Sequence, residues 1–224
     1  MNEYALIVAG GSGSRMQSET PKQFLKIGNM PILMHTLKAF YQYSKNLKII
    51  LVLPDDQILH WQNLVKDYSF TIDHKLAHGG KTRFESVKNG LNVITGEGLV
   101  AIHDGVRPFI TQEVIINCFL SAAENGTGVA AITPKDSIRE TTSLGNRNVD
   151  RGNYKLMQTP QTFQISLIKD AYESAKDIGF TDDASVAEHA GNKITLVEGD
   201  NRNIKITTPE DIKIAQALFA ELNI

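Results

Sequence analysis

The chain has 224 residues, 42% of them hydrophobic and 21% charged, with a formal net charge of −2. That length buries one sizeable core. The near-neutral balance excludes a global field that would hold nucleic acid or an anionic membrane, so any anion must be met by local charge.

Cys118 is the only cysteine, which excludes an internal disulfide, and its apolar surroundings from Val114 to Leu120 predict a buried small hydrophobe. No apolar run reaches the roughly 18 residues of a membrane helix. Glu3, with no basic region before the first apolar run, argues against a signal peptide. The expectation is one cytoplasmic domain spanning 1–224.

In chain order, the apolar strand Tyr4–Val8 runs straight into Ala9-Gly10-Gly11-Ser12-Gly13-Ser14-Arg15, and Pro21-Lys22 follows. Glycines at a strand end let bare N–H groups approach a ligand, and the two cations add fixed positive charge, which makes a polyphosphate cradle. Pro31 is expected in the first turn of a helix with Leu33, Leu37, Phe40 and Tyr41 on one face. Lys48–Leu53 reads as a strand buried on both faces. Asp55 or Asp56 is expected to cap a helix carrying Ile58, Trp61, Leu64 and Val65. Another helix follows Gly79-Gly80, with Phe84, Val87 and Leu91 at helical spacing. Leu99–Ile102 is a buried strand leading to His103-Asp104; a helix from about Gln112 and a strand at Val129–Ile132 continue the alternation. From Pro134 to about Leu156 the chain turns polar, and a stretch this long suggests a functional excursion such as a hairpin arm. Thr159-Pro160-Gln161 reads as a turn back to the core, and Thr181-Asp182-Asp183-Ala184 as a helix cap. Asn203–Ile206 alternates like a strand, and Thr208-Pro209-Glu210-Asp211 starts the last helix.

This rhythm predicts an α/β, Rossmann-like three-layer sandwich with a mostly parallel sheet. Ligands on such sheets sit at the carboxyl ends of the strands, so the glycine loop and His103-Asp104 should share one rim.

A dinucleotide-binding oxidoreductase fits poorly. The loop lacks the third glycine of G-x-G-x-x-G, and after Glu19 the next acid is Asp55, too far on to hold a ribose diol. Arg15 and Lys22 suit the extra charge of a phosphoryl or nucleotidyl transfer transition state. Asp104 is a natural Mg²⁺ ligand alongside substrate phosphates. Arg107 offers a second anion contact, His103 orients the neighbouring loop, and Lys205 reaches phosphate if its segment ends near the rim. No nucleophile elbow, metalloprotease helix, paired-cysteine motif or Walker loop appears.

The segments AGGSGSRM, PKQF, GGKTRFESV, HDGVRPFI, VDRGNYKLMQTPQTF, FTDDAS and NIKITTPEDI occur in that order across nearly the whole chain. Together they resemble the 2-C-methyl-D-erythritol 4-phosphate cytidylyltransferase family. The resemblance implies transfer from CTP to 2-C-methyl-D-erythritol 4-phosphate with release of pyrophosphate, a divalent cation, normally Mg²⁺, and a homodimer. Arg15 and Lys22 match the pair that stabilises the transition state; Ala9, Gly10 and Gly11 match the nucleotide loop. Gly80 and Ser86 match contacts to cytosine and ribose, and Gly105 lies beside the metal-associated Asp104. Lys205 matches a lysine near the phosphates, and Arg151 the arginine that positions the sugar phosphate. Arg107, Ser137, Thr159 and Thr181 match further substrate-side positions. The polar excursion at 134–156 matches a dimerisation arm that completes the neighbour's site.

Three positions depart from the family pattern. Lys81 stands where an acid is common, Ser137 replaces a threonine, and Gly105 replaces an alanine; none removes a charge the mechanism needs. The alternatives are ribitol-5-phosphate cytidylyltransferase and a non-catalytic nucleotide-binding module.

Overall fold

The computed structural model describes residues 1–10, 20–175 and 179–222. The elements are β1 (Glu3–Val8), β2 (Lys26–Ile27), β3 (Met30–Pro31), α1 (Ile32–Tyr43), β4 (Lys48–Leu53), α2 (Asp55–Asp67), β5 (Lys75–His78), α3 (Arg83–Asn92) and β6 (Leu99–Asp104). They continue with α4 (Gln112–Asn125), β7 (Thr127–Ile132), β8 (Ile138–Thr142), β9 (Gly145–Val149), β10 (Leu156–Gln164), α5 (Ile165–Ser174), α6 (Asp183–His189), β11 (Leu196–Glu198) and α7 (Pro209–Leu222). Short 3₁₀ turns span Lys22–Phe24 and Arg151–Asn153.

Seven strands form one sheet in the order β11-β7-β10-β6-β1-β4-β5. All neighbours run parallel except β10, which is antiparallel to both β6 and β7. The sheet carries helices on both faces, and β1 shows why. Its side chains alternate across the pleat: Ala5 and Ile7 enter a core with Leu37 and Phe40 of α1, Trp61 of α2 and Phe119 of α4. Tyr4, Leu6 and Val8 enter a second core with Val87 and Leu91 of α3, Ile168 of α5 and Ala187 of α6. Strand and helix faces are thus apolar on both sides, as a largely parallel sheet demands. Cys118 is fully buried in the first core, where burial pushes its thiol up to about 12. A third, smaller cluster joins Ile27, Val106 and Ile206 to Ala215 of α7.

Several local expectations shift. Pro31 lies just outside α1 rather than in its first turn. Asp55 and Asp56 sit inside the first turn of α2 after Pro54, with no side-chain cap, and Asp55 instead accepts from His78 Nδ1 at 2.6 Å. Their charge still meets the positive end of the helix. Asn203–Ile206 keeps its alternation, with Ile206 buried and Lys205 exposed, but it pairs with no strand. Thr159–Gln161 is no surface turn: it lies buried in β10, where the register to β7 shifts. The polar excursion is a hairpin, β8 against β9 from Ile138↔Val149 to Thr142↔Gly145, standing apart from the main sheet.

Strand register sets the rim. Val8 pairs with Asp104 on one side and Val52 on the other, so the glycine loop and Asp104 leave the sheet side by side. The Lys22–Phe24 turn is seated by Phe24, which meets His60 edge-on at 4.9 Å and Trp61 at 6.3 Å between ring centroids. Trp61 is fully buried and donates to His74 Nε2 at 2.9 Å. Trp61→Ala is therefore expected to lower stability by about 3–5 kcal/mol, read as a shift in the urea unfolding midpoint.

Candidate functional site

Two clefts open at this rim. One, of about 240 Å³, is lined by Ala9, Gly10, Lys22, Lys81, Thr82 and Ser86 among others. The second, of about 230 Å³, is lined by Arg107, Gln158, Thr159, Gln161, Thr181 and Asp182 among others. Arg83, Asp104 and Lys205 belong to both.

The shared wall is built around one carboxylate. Asp104 is 6% exposed, and its Oδ2 lies 3.1 Å from both Arg107 Nε and Lys205 Nζ. Its Oδ1 stands 3.8 Å from Arg83 Nε. Burial alone would raise this carboxyl, but Lys205, Arg83 and Arg107 outweigh it and hold the group far below the usual carboxylate range. It is ionised at any working pH.

Both arginines are themselves fixed. Arg107 Nη1 donates to Asn203 O at 2.7 Å, and Asn203 Nδ2 donates to Thr159 O at 2.7 Å. These bonds bring the segment before α7 onto β10 and aim Lys205 at Asp104. Arg83 donates both terminal nitrogens to Asp183, at 2.8 and 2.7 Å.

His103 locks the backbone beneath. A carbonyl can only accept, so the 3.1 Å contact to Arg107 O makes Nε2 the donor. Nδ1 then accepts from the Thr159 hydroxyl at 3.0 Å, and that same oxygen accepts from Asp104 N–H at 3.1 Å. His103 thus orients the loop to Arg107, as its position after the strand predicts. The Thr159 hydroxyl is committed to the scaffold even though the residue lines the second cleft.

On the nucleotide-loop side, Gln23 Nε2 donates to Ala9 O at 3.0 Å and to Gln57 Oε1, tying the Lys22 turn to the end of β1. Ser86 is nearly fully buried; its Oγ accepts from Gly80 N–H at 3.0 Å and donates to Thr82 O at 2.8 Å. A Cβ on Gly10 would lie 3.1 Å from that Oγ, and one on Gly80 would lie 2.2 Å from Glu85 Cβ. Close approach requires glycine at Gly80, whereas at Gly10 a side chain would press on the Ser86 hydroxyl. Lys81, where an acid was the common residue, donates its N–H to Glu85 Oε2 at 2.6 Å.

Of the expected site residues, Ala9, Gly10, Lys22, Ser86, Asp104, Arg107, Thr159, Thr181 and Lys205 line the two clefts. Gly80 and Gly105 support the walls from behind; Gly105 is buried, with its N–H on Val8 O at 2.9 Å. Gly11 and Arg15 lie outside the described residues. Ser137 and Arg151 lie on or beside the hairpin, exposed and lining neither cleft; Arg151 Nη1 donates to Lys135 O. Arg83, Asp183 and Gln23 were not anticipated as individuals, although GGKTRFESV, FTDDAS and PKQF contain them.

The donors suit a Mg²⁺ ion held by one protein carboxylate and completed by triphosphate oxygens. Among the described residues, no three His, Cys, Asp or Glu side chains cluster into a protein-only cage. Asp104 is the one carboxylate shared by both clefts.

A family model described as 2-C-methyl-D-erythritol 4-phosphate cytidylyltransferase matches residues 4–221. A protein of that name from Bacteroides fragilis is 53% identical over 96% of this chain and 98% of its own length. Another from Phocaeicola vulgatus is 48% identical over 98% of this chain and 100% of its own. The crystal structure of the Anaerococcus prevotii 4-diphosphocytidyl-2C-methyl-D-erythritol synthase superposes with a TM-score of 0.85 at 29% identity, covering 98% of each chain.

The buried His103 carries a pH signature. Burial lowers its pKa from 6.5 to about 4. Below pH 6.5 the unfolded chain binds a proton that the folded chain refuses. Stability is therefore full above pH 6.5 and falls as pH drops toward 4, by about 3 kcal/mol for this group. His35 is lowered in the same direction, while Asp104 acts only below its ordinary 3.8. Urea unfolding at pH 7 and pH 4.5 should show a smaller loss in His103→Gln than in the wild type.

Proposed function

The chain belongs to the 2-C-methyl-D-erythritol 4-phosphate cytidylyltransferase family, and we infer that its two clefts divide that reaction between nucleotide and acceptor. The enzyme joins CTP and 2-C-methyl-D-erythritol 4-phosphate, giving CDP-methylerythritol and pyrophosphate for isoprenoid precursor synthesis.

The nucleotide occupies the cleft beside Ala9, Gly10 and Lys22, and the acceptor the cleft beside Arg107 and Thr181. A phosphate monoester has a second pKa near 6, so at neutral pH the acceptor is already an anionic nucleophile and needs no general base. Its oxygen bonds to the α-phosphorus of CTP as the bond from that phosphorus to the α,β-bridging oxygen breaks. Pyrophosphate leaves with that electron pair. Alignment and charge neutralisation then supply the catalysis.

Lys22, with Arg15 assigned by its place in the family motif, meets charge growing at the α-phosphate. Asp104 would hold Mg²⁺, which when bound would neutralise triphosphate charge. Lys205 contacts phosphate across the shared wall. Gly11 joins the nucleotide loop, and Gly80 and Ser86 shape the base and ribose end. Ser137 and Arg151 of the partner subunit reach the acceptor through the arm of a homodimer; their exposure on or beside the hairpin, outside the lining of both clefts in one chain, supports this arrangement. We place the enzyme in the cytoplasm; among the described residues no helix is long and apolar enough to cross a membrane.

The observation that carries the assignment of roles is that Asp104 and Lys205 line both clefts, as transfer between two bound phosphates requires. Pyrophosphate release with CTP and Mg²⁺ is expected with methylerythritol 4-phosphate and not with ribitol 5-phosphate. Lys22→Ala should lose about 10²–10³-fold in kcat with an unchanged melting temperature. Wild-type turnover with ribitol 5-phosphate alone would move the acceptor, and silence with both from a chain that binds CTP would make this a binding module.

A further inference from the structure

We propose that Asp183 is a positioning residue that, by clamping Arg83, sets the acceptor cleft against the wall it shares with the nucleotide cleft. This inference rests on the division of the clefts given above.

Asp183 is fully buried. A buried carboxylate costs several kcal/mol unless its lone pairs are met. Here Arg83 meets both oxygens bidentately, and Tyr172 Oη donates to Oδ1 at 2.7 Å. Burial and the neighbouring carboxylate raise the Tyr172 hydroxyl far above its usual range, so it remains a donor.

The pair joins two helix starts. Arg83 is the first residue of α3 and Asp183 the first of α6. Residues just before α3, Lys81 and Thr82, line the nucleotide cleft; those just before α6, Thr181 and Asp182, line the acceptor cleft. Each terminal nitrogen of Arg83 gives one N–H to Asp183, which fixes the guanidinium, and Nε stands 3.8 Å from Asp104. Arg83 thus bridges the two carboxylates. It transmits the position of α6 to the carboxylate at the centre of the site.

The two walls differ in what else holds them. The start of α3 keeps the Thr82 cap on Glu85 N–H and the Ser86 bonds without Asp183. The start of α6 keeps its Asp182–Ser185 capping box and is tied to β10 by Gln161, which donates to Asp182 and accepts from Ala184 N–H. Loss of Asp183 should thus leave the helix folded and still tied to β10 through Gln161, but no longer locked to Arg83 and the Asp104 wall. The acceptor cleft alone should loosen.

The test is steady-state kinetics of the full chain with CTP, Mg²⁺ and methylerythritol 4-phosphate. Asp183→Asn should raise KM for the acceptor by about tenfold or more, the loss expected when charged hydrogen bonds are weakened. KM for CTP should stay within about threefold of the wild-type value by the same reasoning. Tyr172→Phe removes one hydrogen bond and no charge, so it should move the acceptor KM the same way by a smaller factor. Equal rises in both KM values, no change in either, or a loss confined to kcat would overturn the proposal. If Asp183→Asn fails to fold, Tyr172→Phe decides alone by the same criteria. Absence of wild-type turnover with this acceptor would defeat the functional reading, whereas the variant-to-wild-type ratio tests only Asp183.

Discussion

A single buried carboxylate sets the terms for the rest of the site, because burying Asp104 is costly and must be offset by charge of the opposite sign. Arg83, Arg107 and Lys205 provide it, and they come from three separate places: the start of α3, the loop after β6 and the segment before α7. Three distant stretches of chain are thereby drawn to one point on the rim. Each arginine carries a further bond or pair that fixes its approach, so the ensemble is organised before a ligand arrives. With Asp183 included, three cations face two carboxylates in this wall.

Wherever a structural decision is local, the sequence displays it. Strands β1, β4 and β6 follow from apolar runs, and the caps of α6 and α7 follow from Asp182 and Thr208, whose side chains accept from backbone N–H groups three residues on. Ala9-Gly10 after β1 place one half of the rim, and His103-Asp104 at the end of β6 the other, because strand order puts those ends together. Decisions made at long range were not visible. Arg83 and Asp183 are 100 residues apart, and Arg107 and Asn203 are 96 apart. Nothing in the spacing around either Asp of Asp182-Asp183 says that the first caps its own helix while the second crosses to another. Thr159 and Ser86 show the same limit: both line the clefts, but nothing in the spacing says that their hydroxyls are also engaged by neighbouring protein groups at 2.8–3.1 Å.

The hairpin at Ile138–Val149 obeys different physics. A two-stranded ribbon is marginal in water on its own, and this one is polar, with Leu144 at its tip 99% exposed. Its cross-strand contacts, Arg147 with Glu140 and Arg139 with Asn146, lie at the surface, where such pairs contribute little. Neither the main cores nor ion pairs therefore account for a ribbon of this length. Packing against a second copy would, and it would carry Ser137 and Arg151 toward a neighbour's acceptor cleft.

Why buried charge is concentrated in one wall follows from the chemistry. The acceptor phosphate arrives already ionised, so the protein need not generate a nucleophile. Rate must instead come from bringing two polyanions into line and stabilising the charge that develops between them. Both effects depend on geometry: near-attack alignment is worth several powers of ten, and preorganised charges act without reorganisation during the reaction. Flexible surface lysines would attract the substrates but would not hold them in line. Arg83, bound bidentately to a carboxylate with no exposed surface, and Arg107, tied to a backbone carbonyl, have surrendered their freedom in advance. Lys205, the most exposed of the wall's cations, is drawn to Asp104 at 3.1 Å. Arginines fixed in advance are what an alignment-driven transfer would select.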